Sequence, residues 1–310
     1  MAESMNNQPL ISIIVITYNS SKYVIETLES AKSQTYQNIE LIVSDDCSSD
    51  NTVELCRDWI KENNYRFVRT KVVTVVENSG ISPNCNRGLS AAEGEWVKLI
   101  AGDDVLLDNC ITDFVSYCQA DRECKILVGR LFYWKGDTVT EDKINPFYKL
   151  SQENQYLRNV KGSGVPIQAS FFNKNSLVGI GGFDEKYKYI EDLPLWIKAS
   201  ELGFYFNFLD KFVVKYRLHD NNISGVRRNT SYYINERFYK EHRSIIKNEV
   251  IPRLILHREY VTVFNFWNYL VVCDVILLLG NKNNLLSRVL SLLNLKSTVL
   301  KLKRCMVGED

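Results

Sequence analysis

Apolar residues in the first hundred positions come in short blocks, and each strand-like block ends on a cluster of polar side chains. Residues 11–17 form a β-branched run that predicts a strand, closing on Thr17-Tyr18-Asn19. A helix is predicted to open at Ser20 or Ser21, with Val24, Leu28 and Ala31 on one face. Residues 39–43 predict a second strand, closing on Ser44-Asp45-Asp46. Asn51, with Glu54 three residues on, resembles a capping box ahead of Val53, Cys56 and Ile60. Residues 72–76 predict a third strand ending at Glu77-Asn78-Ser79-Gly80, and Pro83 opens a short helix reaching Ala92. The run 96–100 predicts a fourth strand, which stops at Gly102-Asp103-Asp104. Strand and helix signals in alternation predict an α/β fold with parallel strands.

Past Cys124 the periodicity loosens, and the polar stretch 135–163 reads as a loop or lid region. Order returns at 168–172, followed by a turn at Gly181-Gly182-Phe183-Asp184. Glu191-Asp192 then opens a predicted helix carrying Leu195, Trp196 and Ala199. Residues 204–214 read as a strand leading to Tyr216-Arg217-Leu218-His219, and from about Thr230 the pattern is helical throughout. This predicts a catalytic domain over 1–225 and a C-terminal helical extension over 226–310. The apolar segment 261–280 approaches the length of a membrane span. Asn265, Asn268 and Asp274 interrupt it, so it is read as a buried or surface-lying helix.

Charge adds a polarity to that division. The 310 residues carry a formal net charge of +1, but residues 226–310 hold 14 Lys and Arg against 7 Asp and Glu. A basic tail suits an anionic surface, and Leu285, Leu286, Val289, Leu290, Leu293 and Leu300 recur near helical spacing among its cations. Membrane contact and packing onto a second subunit both fit that pattern. The eight cysteines form no Cys-x-x-Cys and no zinc or disulfide framework. With the polar start Met1–Pro9, this is the profile of a cytoplasmic chain with reduced thiols, without a signal peptide.

In folds of this class ligands sit beyond the carboxyl ends of the strands. Here those ends carry Thr17-Tyr18-Asn19, Asp45-Asp46, Asn78 and Asp103-Asp104. Adjacent carboxylates such as Asp103 and Asp104 repel unless a cation sits between them and an anion, and hard oxygens suit Mg²⁺ or Mn²⁺. The plainer alternative is a turn in which one of them caps the next helix. No Gly-x-Gly-x-x-Gly follows the first strand, and no phosphate-loop motif occurs anywhere. Dinucleotide-binding domains and phosphate-loop ATPases are therefore disfavoured, and nucleic acid is not among the expected partners.

The order of these motifs resembles the family 2 glycosyltransferases and their nucleotide-sugar fold, the Rossmann-like GT-A fold. The residues carrying the resemblance are Ser12-Ile-Ile-Val-Ile-Thr-Tyr-Asn19, Ser33-Gln-Thr-Tyr36, Asp45-Asp-Cys-Ser-Ser-Asp-Asn-Thr52, Asn78-Ser-Gly80, Asn86-Arg-Gly88, Gly102-Asp-Asp104, Gly181-Gly-Phe-Asp184, Glu191-Asp192 and Tyr216-Arg-Leu-His219. The resemblance implies transfer of one sugar, with inversion, from a nucleoside-diphosphate sugar to a hydroxyl of a saccharide or lipid-linked saccharide. Cell-surface polysaccharide or glycoconjugate assembly is the implied setting. It implies donor contacts from Thr17, Tyr18, Asn19, Asp46, Asn86 and Asp103, with Tyr18 packing on the base and Asp46 bonding to it. Asp104 and His219 would hold Mn²⁺ or Mg²⁺, Asp192 would take the proton of the acceptor hydroxyl, and Gly182 and Glu191 would face the acceptor.

Three departures qualify the likeness. Ala101 stands where the family's acidic motif often begins with another Asp, and Cys85 where an Arg often precedes the Asn. Gln-x-x-Arg-Trp, typical of processive synthases, is absent, which favours adding a single sugar. Two rival readings remain. A nucleotidyltransferase would show a Gly-rich, Arg- or Lys-bearing turn after the first strand, where this chain has Thr-Tyr-Asn. A non-catalytic sugar-nucleotide or partner-binding module would have no need of both Asp104 and Asp192.

Overall fold

The computed structural model describes residues 8–219 and 236–279, together with Leu286, Val289 and Leu290. The chain divides into two compact units, Met1–His219 and Asp220–Asp310. The first is an α/β unit built on one mixed sheet. Its opening half is β1 (Ile11–Thr17), α1 (Val24–Lys32), β2 (Ile39–Asp45), α2 (Thr52–Asn63), β3 (Arg69–Thr74), α3 (Ile81–Ala91) and β4 (Trp96–Ala101). All three pairings among these strands are parallel, and the register sets Thr17 opposite Asp45 and Ile16 opposite Ala101. The strand ends are therefore level, and the loops that leave them share one edge.

The second half of the unit comprises β5 (Val105–Leu106), α4 (Cys110–Ala120), β6 (Ile126–Lys135), β7 (Thr138–Glu141), α5 (Gln152–Val160), β8 (Ser170–Asn173), α6 (Lys174–Gly179), α7 (Asp192–Glu201) and β9 (Phe206–Arg217). The strand order is β3-β2-β1-β4-β8-β6-β9-β5, with β7 beside β6. β8 runs antiparallel to both β4 and β6, so the parallel half is extended by a mixed one. β1, β2 and β4 are buried almost throughout, as strands covered on both faces must be. Trp96, Phe171 and Phe114 stack through the core beside them, with ring centroids 5.1 and 4.9 Å apart.

Some expectations shift. β3 begins three residues before the predicted run, and Val76 lies outside it, exposed. The helix after β1 starts at Val24, because Ser20 to Tyr23 form a turn. Asn51 is the N-cap of α2 but its side chain makes no cap bond; Asp50 accepts from the Thr52 amide instead, at 3.0 Å. The stretch 135–163 is not an open loop, since it contains β7 and α5. Gln155 of α5 is fully buried and clasps the backbone of Phe206, accepting at 2.9 Å and donating at 3.1 Å.

In the second unit α8 (Glu236–Ile245) passes through a π turn at Ile246–Val250 into α9 (Ile251–Leu256), and α10 (Tyr260–Leu278) follows. Pro252 accounts for the wide turn: it has no N–H, and its ring would strike the carbonyl four residues back in a regular helix. Tyr239, Ile246, Ile251, Leu270 and Cys273 form the core, and Asp274 of α10 pairs with Arg243 and Tyr239 of α8. The leucine-patterned tail predicted over 285–300 lies outside the described residues except for Leu286, Val289 and Leu290, which are helical.

Candidate functional site

The ends of β1 and β2 are laced together by short side chains. Thr17 donates to Asp45 Oδ2 at 2.7 Å, and Ser48 donates to both oxygens of the same carboxylate. Asn19 sits at φ +50°, which Asn tolerates, and its side-chain oxygen accepts from the Ser49 amide at 2.8 Å. Thr17 is thus buried inside the lacing, whereas Tyr18 stands out beside it, 52% exposed.

Asp46 is also buried, but it turns toward α3. Its oxygens accept from the amide and hydroxyl of Ser79, from the Gly80 amide at 2.7 Å and from Arg87 at 2.8 Å. A carboxylate offers about four acceptor positions, and four groups reach this one. Asp46 therefore fixes the start of α3 to the sheet edge. Arg87 retains one buried guanidinium nitrogen, Nε, without a hydrogen-bond partner.

β4 delivers the acidic pair. Gly102 is needed there because a Cβ would come within 2.9 Å of the Thr17 methyl carbon and 3.1 Å of Ser20. Asp103 remains partly exposed and lies 2.8 Å from His219 Nε2, at the far end of β9. Asp104 is fully buried; its Oδ1 accepts from the Arg217 amide at 2.8 Å, and its Oδ2 has no hydrogen-bond partner. Burial, and then the charge of Asp103, push the Asp104 carboxyl well above the usual range.

Arg217 holds this corner rigid. Its guanidinium lies over Tyr23 at 4.5 Å and Trp134 at 3.9 Å, while Nε donates to the Asp103 carbonyl at 2.7 Å and a terminal nitrogen pairs with Glu26. Tyr23 also stacks on His219, with centroids 5.3 Å apart. Sequence reasoning quoted Arg217 within a motif but gave it no task. It likewise passed over Lys98, whose charge inside an apolar strand was the available signal. That ammonium is fully buried, donates to the carbonyls of Leu99 and Gln168, and is brought down to about 8 by burial.

Among the described residues no group of three or more His, Cys, Asp or Glu side chains is placed to hold a metal ion. What this corner offers is narrower: the partly exposed Asp103 beside His219, and the adjacent buried carboxyl of Asp104. Small hard cations are commonly held by one or two carboxylates and complete their shell with water and substrate phosphate. The buried, unpartnered Asp104 Oδ2 is the kind of atom such an ion satisfies.

A second group lies along α3 and the segment before α7. The amides of Ile81 and Ser82, at the start of α3, donate to the Lys188 carbonyl at 2.6 and 3.2 Å. Asn86 grips the glycine turn: it donates to the Phe183 carbonyl and Glu185 and accepts from the Phe183 amide. Its amide is committed to that turn. Gly182 adopts φ +65°, and a Cβ there would lie 2.5 Å from Asn86 Oδ1. Gly182→Ala is therefore expected to cost about 1–3 kcal/mol, read as a lower thermal midpoint; an unchanged midpoint would remove the strain argument.

Asp192 opens α7 with Glu191 at its N-cap, and its Oδ1 accepts from the Leu193 amide at 2.6 Å. Burial raises the Asp192 carboxyl above its ordinary value. Burial also pushes up the Cys85 thiol of α3, and the charges of Glu191 and Asp46 add to that effect. Cys85 is 4% exposed and faces the interior. A chain of bonds runs from Thr17 to the Asp46 amide, from the Asp46 carboxylate to Gly80, and from Ile81 to Lys188. The acidic edge and the start of α7 are thus built into one framework.

Residues 12–175 match the family described as Glycosyl transferase family 2. An uncharacterized glycosyltransferase of Haemophilus influenzae is 26% identical over 263 residues, spanning 75% of this chain and 76% of its own. The putative teichuronic acid biosynthesis glycosyltransferase TuaG of Bacillus subtilis is 25% identical over 220 residues, spanning 71% and 83%. The crystal structure of S. aureus TarS 1–349 in complex with UDP-GlcNAc has the same fold at a TM-score of 0.59 and 23% identity, over 77% of this chain and 66% of that one. In a second crystal structure of S. aureus TarS, the match spans 39% of that chain. With more than half of its length matched by the family model, the chain belongs to glycosyl transferase family 2.

Proposed function

We propose that this chain is a cytoplasmic, inverting glycosyltransferase of the Rossmann-like GT-A type. It moves one sugar from a nucleoside-diphosphate donor to a hydroxyl of a saccharide or lipid-linked saccharide during assembly of a cell-surface polysaccharide or glycoconjugate. The domain carrying the chemistry spans residues 1–225, with 226–310 as its helical extension. The observation that carries the reading is the buried, unpartnered oxygen of Asp104 beside Asp103 and His219, at the carboxyl edge of parallel strands. The likeness to the TarS structure in complex with UDP-GlcNAc supports a sugar nucleotide as donor.

In this reading the exposed ring of Tyr18 packs on the nucleobase, and Asn19 shapes the turn beneath it. Asp46, expected to bond to the base, has its acceptor positions taken by Ser79, Gly80 and Arg87, so in this reading it shapes the wall of that pocket instead. Asp103 faces the ribose. Asp104, with His219, would hold Mn²⁺ or Mg²⁺, which when bound offsets the charge that gathers on the departing diphosphate. Asp192 accepts the acceptor's proton as its oxygen bonds to the anomeric carbon and the sugar–phosphate bond breaks. Gly182 and Glu191 lie on the acceptor side, with Asn86 fixing the Gly182 turn.

Donor hydrolysis, or transfer to a crude acceptor extract, tests this reading. Activity is expected to disappear in chelator and return with Mn²⁺ or Mg²⁺. Turnover indifferent to chelator would sink the metal assignment, and release of pyrophosphate from a nucleoside triphosphate supplied with a sugar phosphate, in place of nucleoside diphosphate from the sugar nucleotide, would favour the nucleotidyltransferase reading.

A further inference from the structure

The second unit carries a surface that the transfer chemistry does not use. α10 is 19 residues long with a mean hydropathy of 1.8 over its most apolar window, yet only 28% of that window is buried. Tyr260, Phe264, Trp267, Val271 and Leu278 are all exposed. At 100° per residue these five fall within about 60° of one another, forming a single stripe about 27 Å long. None of the exposed positions of α10 bears a charge. On the opposite face Cys273 and Ile276 are buried, although Tyr269 there is exposed; Leu270 is buried to one side, and the one acidic residue, Asp274, stands about 20° from Trp267 at the edge of the stripe, where it is paired with Arg243 and Tyr239.

A helix apolar on all sides is normally enclosed, and here one side is enclosed by the bundle while the other is bare. Charge identifies what covers it. Residues 280–308, which follow directly in sequence, contain Lys282, Arg288, Lys296, Lys301, Lys303 and Arg304 and no acidic residue. At the edge of the stripe Lys247 lies over the Trp267 ring at 5.5 Å. An apolar stripe with aromatic side chains and neighbouring cations matches an anionic lipid surface, where rings settle at headgroup depth and cations meet phosphate.

We propose that the exposed stripe of α10 lies in the interface of an anionic membrane, parallel to its plane, and anchors the enzyme peripherally. The helix does not cross the bilayer, because it is held by α8 and α9 through a polar contact and a packed core. The inference deepens the acceptor side of the proposed function by placing the enzyme where lipid-linked saccharides reside. It makes no use of the donor site.

Co-sedimentation of the full chain with vesicles of phosphatidylcholine alone, or with added phosphatidylglycerol, tests it. Binding is expected to the anionic vesicles, to weaken with salt, and to fall at least about tenfold in the double variant Phe264→Ser, Trp267→Ser. Both side chains are 44% exposed and lie outside the core of the unit, so the variant should stay folded, with a modestly lower thermal midpoint and wild-type donor hydrolysis. A failed donor reading would leave vesicle binding intact, which keeps the two proposals separable. The proposal is overturned if wild type ignores anionic vesicles, if the variant binds them equally, or if light scattering shows the stripe joining two copies, with the variant monomeric.

Discussion

Asp104→Asn should abolish transfer while leaving the protein folded, a loss of at least about 10³-fold in turnover. The replacement keeps an oxygen for the Arg217 amide, so the link between β4 and β9 survives. What disappears is one negative charge, at a carboxyl that burial and Asp103 already disfavour in its ionised form. Removing it relieves a folding penalty, and the thermal midpoint should hold or rise. Loss of activity with a preserved midpoint places Asp104 in the chemistry. Wild-type turnover in the variant would return the Asp103-Asp104 pair to the status of a helix-capping turn.

Asp192→Asn is expected to reduce turnover by about 10²-fold or more with little change in donor affinity, because the base acts on the acceptor. The pH profile supplies a second signature. A general base must be ionised, so activity rises with pH through its titration. Burial raises the Asp192 carboxyl, so the acid limb should lie above the ordinary carboxylate range and be absent from the residual activity of the variant. The sign for stability is opposite. A carboxyl raised on folding destabilises the native state as pH climbs past its unfolded value, so Asp192→Asn should be no less stable than wild type at pH 8. If Asp192→Asn turns over normally and Glu191→Gln does not, the two neighbours exchange roles.

How legible was this site in the sequence? The parallel strands were readable because β1, β2 and β4 are buried on both faces and therefore appear as uninterrupted apolar runs. Their polar ends followed, and with them Thr17, Asp46 and the acidic pair. The approach of His219 to Asp103, across 116 positions, left no local trace and was reachable only through the family resemblance. α5 escaped for a different reason. Its buried anchors, Gln155 and Asn159, are polar, and a search for apolar periodicity passes over a helix held by a glutamine clasping a strand backbone. β7 is exposed along its whole length and so has no inside and outside to alternate. The tight grip on Asp46 was also hidden, because Ser79, Gly80 and Arg87 read individually as turn and helix residues.

The proposed transfer requires that the acidic edge bind a metal-bridged sugar nucleotide and that the start of α7 act separately on the acceptor. Thermal unfolding of wild type, Asp104→Asn and Asp192→Asn with a panel of nucleoside-diphosphate sugars, each with Mn²⁺ or with chelator, tests it most directly. One donor class is expected to stabilise wild type and Asp192→Asn in the presence of metal, by about 2.7 kcal/mol at a hundredfold excess over Kd and visible as a higher midpoint, and to leave Asp104→Asn unprotected. Equal protection of Asp104→Asn, or no protection of wild type by any sugar nucleotide, would contradict it.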